Sequence, residues 1–489
     1  MEKSSSTDFD VVIVGAGISG INAAYRVQSE LPEGTTYAIL EARDAIGGTW
    51  DLFRYPGIRS DSDLHTFGFS WRPWSEQRSI ADGASIQKYM QETAAIHGID
   101  QHIKFQHKLR AANWSSDVQR WQLSLEANGE KKIFNSRFLI MGTGYYDYQE
   151  PLPAVIPGLE NFKGTIVHPQ FWPEDLDYAG KNMVIIGSGA TAVTLLPNLA
   201  EKAKHVTMLQ RSPSYILSRP LISPLNDALH VLFPDWIAFK LIRWRHLIMA
   251  WLFYLFCQTF PIKARDIIRK RTVEQLPKNI PHDPHFEPAY SPWDQRLCVC
   301  PDGDFYKVLR DGKADIATGS IKNVTESSIE LETGQTLNTD VIITATGLKV
   351  QFAGGVTLSV DGEAIKPSDK FFWKGVMLQD VPNAVFVLGY ANASWTLGAD
   401  ATARLATRLI NTMRSGGMSA CVPRLQDPET LGRLPLLNLS STYMKRAEND
   451  LPRAGDRGQW RPRRNYISDI WQARFGDIKT GLQMYRVST

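Results

Sequence analysis

Short apolar runs that end in glycine, each leading into a stretch with helical spacing, recur along the chain. Asp10 to Val14 is a β-branched run ending at Gly15, Ile18 to Ser29 carries apolar residues three and four apart, and Tyr37 to Leu40 is a second apolar run. This order predicts a strand, a helix and a parallel strand. It returns with Met183 to Ile186 as strand, Ala190 to Ala200 as helix and His205 to Leu209 as strand. Between the two units, Phe138 to Met141 reads as a buried strand running into Gly142-Thr143-Gly144, and Pro151 and Pro153 mark a linker. The same signature at Val341 to Ala345, followed by Thr346 and Gly347, suggests that the chain crosses back there into the first unit. From about Ser214 to Pro292 the pattern becomes Trp-rich, Arg-rich and helical, which reads as an insertion. Asn383 to Leu388 then resembles a last strand of the first sheet, and Trp395 to Met413 a small-residue helix suited to pack beneath a cofactor.

The expected fold is therefore α/β, with two Rossmann-like dinucleotide-binding domains and a helical insertion. Residues 1–147 and 348–489 would form the first domain, 151–215 and 291–347 the second, and 216–290 the insertion. A length of 489 residues agrees with more than one core. Composition excludes more than it identifies. With 54 basic and 51 acidic residues the net charge is +3, too balanced to call for a nucleic-acid partner. Cys257, Cys298, Cys300 and Cys421 form no C-x-x-C pair and no metal-ligand spacing, so disulfide-reductase chemistry and a bound metal are not expected. Met1 to Asp10 is polar and lacks the pattern of a secretory signal, which points to a cytoplasmic protein. The apolar stretch Leu247 to Phe260 is shorter than the roughly 20 residues a bilayer requires, and Arg243 and Arg245 closely precede it.

Two fingerprints carry the chemistry. Gly15-Ala16-Gly17-Ile18-Ser19-Gly20 lies between strand and helix, where glycines permit a tight turn and let backbone N–H groups approach a pyrophosphate. Gly15, Gly17, Ser19 and Gly20 are the candidate contacts. Glu41 ends the next strand; an acid there accepts from both ribose hydroxyls and repels a 2′-phosphate, so FAD or NAD fits and NADP does not. The second fingerprint is Gly187-Ser188-Gly189-Ala190-Thr191-Ala192, with Val193 next in the helix. Its second strand ends at Arg211 and Ser212, and a guanidinium there suits a 2′-phosphate, favouring NADPH. An arginine at a strand end is ordinarily a solvated charge; its place after a fingerprint gives it a ligand.

The run from Gly47 to Asp61 is polar, glycine-rich and too long for a simple connection. Gly48, Trp50, Tyr55, Pro56, Gly57 and Asp61 fill every fixed position of a signature of Baeyer-Villiger monooxygenases, and Phe162, Gly164, His168, Trp172 and Pro173 fill those of another. The sequence thus resembles class B flavoprotein monooxygenases of the Baeyer-Villiger type. Residues 57–63 and 172–178 and Ala393-Ser394-Trp395-Thr396-Leu397 look most like the ethionamide-activating group. The resemblance implies FAD, NADPH and O2, with ketones converted to esters or lactones through a C4a-peroxyflavin and thioethers to sulfoxides. It places a catalytic arginine at Arg296 and a carboxylate that orients it at Asp61, assigns Arg59 and Ser60 to the nicotinamide nucleotide, and adds Thr49, Trp50, Asp51, Leu52 and Leu109 to the FAD set. Gln295 stands where some members have a lysine that touches the 2′-phosphate, which leaves more of that task to Arg211. His168 reads as a hydrogen-bonded linker residue that couples the two domains. The structural alternative for Asp61 and Arg296 is an internal salt bridge only.

Three readings of residues 229–271 remain open: helical core, the wall of a substrate channel for a small apolar ketone or thioether, or a peripheral membrane surface. The arginines Arg453, Arg457, Arg461, Arg463 and Arg464 read as a solvated or salt-bridged face, or as a basic rim that attracts NADPH. Rival functions are a heteroatom-only flavin monooxygenase, a non-oxygenating reductase, and an inactive nucleotide-binding or membrane-associated protein.

Overall fold

A computed structural model describes residues 7–390, 392–437 and 441–486. Residues 1–6 of the polar N-terminal stretch lie outside the described residues. The first unit forms as expected: the strand Thr7–Val14, the helix Ile18–Glu30 and the strand Tyr37–Leu40, with Val11 opposite Tyr37 and Val14 opposite Leu40 in parallel register. Val11, Val12 and Ile13 are wholly buried because both faces of this part of the sheet are covered, which is why the strand reads as a continuous apolar run.

The sheet around it has nine strands. The long strand Glu130–Met141 is parallel to Thr7–Val14 on one side and to Ala384–Phe386 near its end, so the expected last strand is present. Its first half pairs antiparallel with Arg120–Ala127, which pairs with His107–Ser115. Those two strands were not anticipated. Arg120–Ala127 alternates strictly between buried and outward positions, the period of a half-buried strand.

The second unit is a five-stranded parallel sheet in the order Ala314–Thr318, His205–Gln210, Asn182–Ile186, Val341–Thr344, Thr165–Val167. Val341–Thr344 belongs to this sheet; the chain returns to the first sheet only at Thr357–Val360, which pairs with His107–Ser115. Trp395–Ser415 is one helix, fastened to Ile18–Glu30 by a half-buried ion pair, Arg404 with Glu30 at 2.9 Å, and by a buried one, Arg26 with Asp400 at 2.7 Å. Removing one member of such a pair leaves a buried charge uncompensated, at a cost of about 3–5 kcal/mol.

The insertion is helical over a narrower span than 216–290. Ile216–Arg219 is a strand, parallel to Cys298–Pro301. The helices are Pro224–Leu232, Asp235–Thr259 and Pro261–Val273, the last two bent by 115°. Arg243 clamps the long helix to the first domain by donating to the carbonyls of His65 (2.9 Å) and Gly68 (2.8 Å). No single helix among the described residues is long and apolar enough to cross a membrane.

Candidate active site

The two helix N-termini face a common cavity of about 540 Å³. Helices Ile18–Glu30 and Ala190–Leu199 are capped by Gly17 and Gly189 without a side-chain bond, so their first N–H groups are open to a ligand. From the first fingerprint, Gly15, Gly17 and Ser19 line the cavity, joined by Glu41, Thr49, Trp50 and Leu109. Arg59, Ser60 and Asp61 line it from the following loop, and Ala190 and Thr191 from the second fingerprint.

Glu41 is held ready by the backbone. Its carboxylate accepts from the N–H of Ala16 at 2.7 Å and of Arg43 at 2.9 Å, which uses two of about four lone-pair positions. Burial pushes its pKa up, while the two N–H groups and the Arg43 guanidinium oppose the rise. The lone pairs left over are the acceptors that the hydroxyls of an adenosine ribose need, and a 2′-phosphate would meet like charge.

Several candidates serve the frame instead. Asp51 does not line the cavity: it accepts from Arg43 (2.6 Å), Arg54 (3.0 Å) and Gln87 (2.9 Å), which satisfies the carboxylate internally. Leu52 packs into the core of the second unit beside Phe53 and Tyr55. Gly20 is where the helix crosses its strand, since a Cβ there would overlap the carbonyl oxygen of Gly15. Gly187 touches the carbonyl of Ala345 in the same way, and Ala192 and Val193 are core. Ser188 donates to the carbonyl of Ser212 at 2.8 Å and receives Ser214 at 3.1 Å, closing the turn. Gly189 is different, for nothing lies within 4 Å of its absent Cβ. Arg211 and Ser212 are exposed at the end of His205–Gln210, and Arg211 makes no hydrogen bond or ion pair with a described residue.

Asp61 and Arg296 come together from segments more than two hundred residues apart. Both line the large cavity and also a smaller one of about 130 Å³. Leu247, Ala250, Phe253 and Tyr254 of the long insertion helix, together with Trp293, wall the smaller cavity. Arg296 donates to the carbonyl of Tyr390 at 2.6 Å. Burial works against its charge, but the oxygens of Tyr145, Tyr146 and Tyr443 and the carboxylate of Asp61 outweigh burial and raise its pKa. Burial raises the pKa of Asp61, and Arg296 and Arg59 oppose that rise. Arg59 is itself fixed by an ion pair with Asp304.

The tyrosines escaped the sequence reading. Tyr145 stacks on Trp395 at 4.9 Å and bonds the hydroxyl of Tyr146, and Trp395 donates to Ser19 Oγ at 2.9 Å. The one signal was position: Tyr145 directly follows the Gly142-Thr143-Gly144 turn. His168 lies outside both cavities. Its Nδ1 accepts from the N–H of Gln170 at 3.2 Å, and Gln170 donates to the carbonyl of Asp147 at 2.7 Å, tying the middle motif to the end of the first unit. Burial lowers the His168 pKa, which keeps the ring neutral.

The flavin-binding monooxygenase-like family matches residues 9–233. The FAD-containing monooxygenase EthA of Mycobacterium tuberculosis (strain ATCC 25618 / H37Rv) is 45% identical over 470 residues, 96% of each chain. The chain belongs to the class B flavoprotein monooxygenases. A probable FAD-binding monooxygenase, AlmA of Acinetobacter baylyi, is 42% identical over 96% of this chain and 95% of its own. Among solved structures, an oxidized steroid monooxygenase bound to NADP superimposes with a TM-score of 0.74 at 20% identity, covering 98% of this chain and all of that one. Cyclohexanone monooxygenase bound to ε-caprolactone gives 0.75, also at 20% identity, with the same coverage. These likenesses establish the two-domain fold.

Proposed function

We propose that this monooxygenase holds FAD at the first fingerprint and NADPH at the second, and uses O2 to convert small apolar ketones to esters or lactones and thioethers to sulfoxides. The single observation that carries the reading is that Arg296 and Asp61 line both the dinucleotide cavity and the smaller apolar one. A reduced flavin would supply the activation of O2. The open N–H groups at Gly17 would receive its pyrophosphate, and Glu41 its ribose. Gly189 and Arg211 would receive NADPH, the guanidinium facing the 2′-phosphate.

Ketone oxygenation demands more of the protein than sulfur oxygenation, because negative charge develops on the former carbonyl oxygen. Arg296 offers a fixed cation at that place, held by Tyr390 and the tyrosine oxygens, and Asp61 orients it. One such donor is typically worth about 3 kcal/mol, or roughly 10²–10³ in rate. A sulfur lone pair attacking oxygen needs no such cation, so an enzyme restricted to heteroatoms would have little use for a half-buried arginine lining an apolar cavity. Arg296→Ala is expected to keep FAD and oxidise NADPH while ester formation falls by about 10²–10³. Retained ester formation would overturn the assignment.

A further inference from the structure

The long insertion helix is apolar on two sides. Ala238, Ile242, Leu247 and Cys257 are buried against the fold. On the outer side Leu241, Trp244, Ile248, Leu252 and Leu255 recur at three- and four-residue spacing and are exposed, a second apolar stripe where a surface helix normally carries polar residues. Trp236 at 64% and Met249 at 61% exposure extend it, and Phe260 and Ile262 continue it past the bend. A monomeric soluble protein rarely shows so long a contiguous apolar strip without a partner.

Charge indicates the partner. Residues 224–273 hold eight Lys and Arg against three Asp and Glu, a net +5, whereas the whole chain carries only +3; of these cations Arg269 is taken up by Asp283 and Glu287. Arg243 and Arg245 turn inward, to the carbonyls of His65 and Gly68 and to Asn226. Lys240 instead sits over the ring of Trp236 at 5.0 Å, and Lys263 over Phe260 at 5.5 Å, so cations stand beside the exposed aromatics. Aromatic rings with neighbouring lysines suit the headgroup region of a bilayer. A second copy of this chain would bring like charge against like. The clamp through Arg243 and the 115° bend keep the helix lying along the fold, not standing across a membrane.

We infer that this face docks peripherally on an anionic lipid bilayer. The purified FAD-loaded enzyme is floated with vesicles of phosphatidylcholine alone or with about 30% phosphatidylglycerol. It is expected to rise with the anionic vesicles, and Lys240→Gln with Lys263→Gln to weaken partition by about 25-fold, roughly fivefold per cation. Trp244→Ser, Ile248→Ser and Leu255→Ser together are expected to abolish flotation and leave NADPH oxidation with a water-soluble substrate unchanged. Three results would each overturn the inference: wild-type protein that ignores both vesicle types, a triple variant that still floats, or a wild-type dimer in sedimentation that the triple variant dissolves. None of these readouts depends on which substrate the enzyme oxygenates.

Discussion

Two glycines of the paired fingerprints differ in what surrounds them, and alanine separates their roles. At Gly20 a methyl group would overlap the carbonyl oxygen of Gly15. Overpacking costs typically 1–3 kcal/mol where side chains can move aside. Here the obstacle is main chain, so the cost lies at the top of that range, offset in part by the ~1 kcal/mol that alanine gains over glycine in a helix. A net loss of about 2 kcal/mol should lower the thermal midpoint by about 2–4 °C at this chain length. At Gly189 the backbone has φ −82° and ψ −177°, open to any residue, and nothing lies within 4 Å of a new Cβ. Gly189→Ala should therefore melt at or slightly above the wild-type temperature, since replacing glycine without strain adds about 0.4–1 kcal/mol. Its methyl group would fill the space through which a pyrophosphate reaches the helix N-terminus, and a tenfold rise in KM for NADPH, about 1.4 kcal/mol, is expected. Thermal melts and NADPH-dependent initial rates on both variants provide the assay. A Gly189→Ala enzyme with unchanged KM would refute close approach at the second fingerprint, and a Gly20→Ala protein melting as wild type would refute the helix–strand contact.

Arg211→Ala should raise KM for NADPH about tenfold and leave KM for NADH nearly unchanged, because a charge-assisted bond to the 2′-phosphate exists only with NADPH; equal effects on the two coenzymes would contradict the assignment. His65 lies beside His246, with ring centroids 4.8 Å apart, and burial followed by repulsion from His246 lowers its pKa to about 4. The unfolded chain protonates His65 near pH 6.5 and the folded chain does not until about 4, so stability is lost as pH falls through that window, by about 2 kcal/mol at pH 5. His65→Asn should remove that acid slope between pH 7 and 5 in thermal melts, and an unchanged slope would exclude His65 as its source. Asp63 does not confuse the test. Although burial opposes ionisation, His246 and Thr66 hold its pKa at about 2, so its contribution is lost only below about pH 4.

Much of the fold was legible because both βαβ units announce themselves: a parallel strand covered on both faces must be apolar throughout, and its glycine turn is obligatory where helix and strand cross. Arg120–Ala127 was less legible although it alternates, because a strand that is wet on one face carries no continuous apolar run. Glu41, Asp61 and Arg296 could be placed by motif, and all three line the large cavity. Asp51 could not be judged by motif, since only the tertiary approach of Gln87 and the reach of Arg43 and Arg54 show that its carboxylate is already occupied. Tyr146, Tyr390 and Tyr443 were invisible for a related reason. They arrive from three distant segments, and nothing in any one of them records that its oxygen ends near a guanidinium. The insertion was ambiguous because its long helix is apolar on opposite sides, a pattern that suits core, channel wall and membrane face alike.

Whether this chain inserts one atom of O2 into ketones as well as sulfur compounds is decided by incubating the FAD-loaded enzyme with NADPH, ¹⁸O2, a linear ketone and an aryl thioether, and resolving the products by mass spectrometry. The expected result is an ester and a sulfoxide that each carry one ¹⁸O, both absent without NADPH. Labelled sulfoxide with no ester would contradict the role given to Arg296, and NADPH oxidation that yields only hydrogen peroxide would contradict oxygen transfer itself.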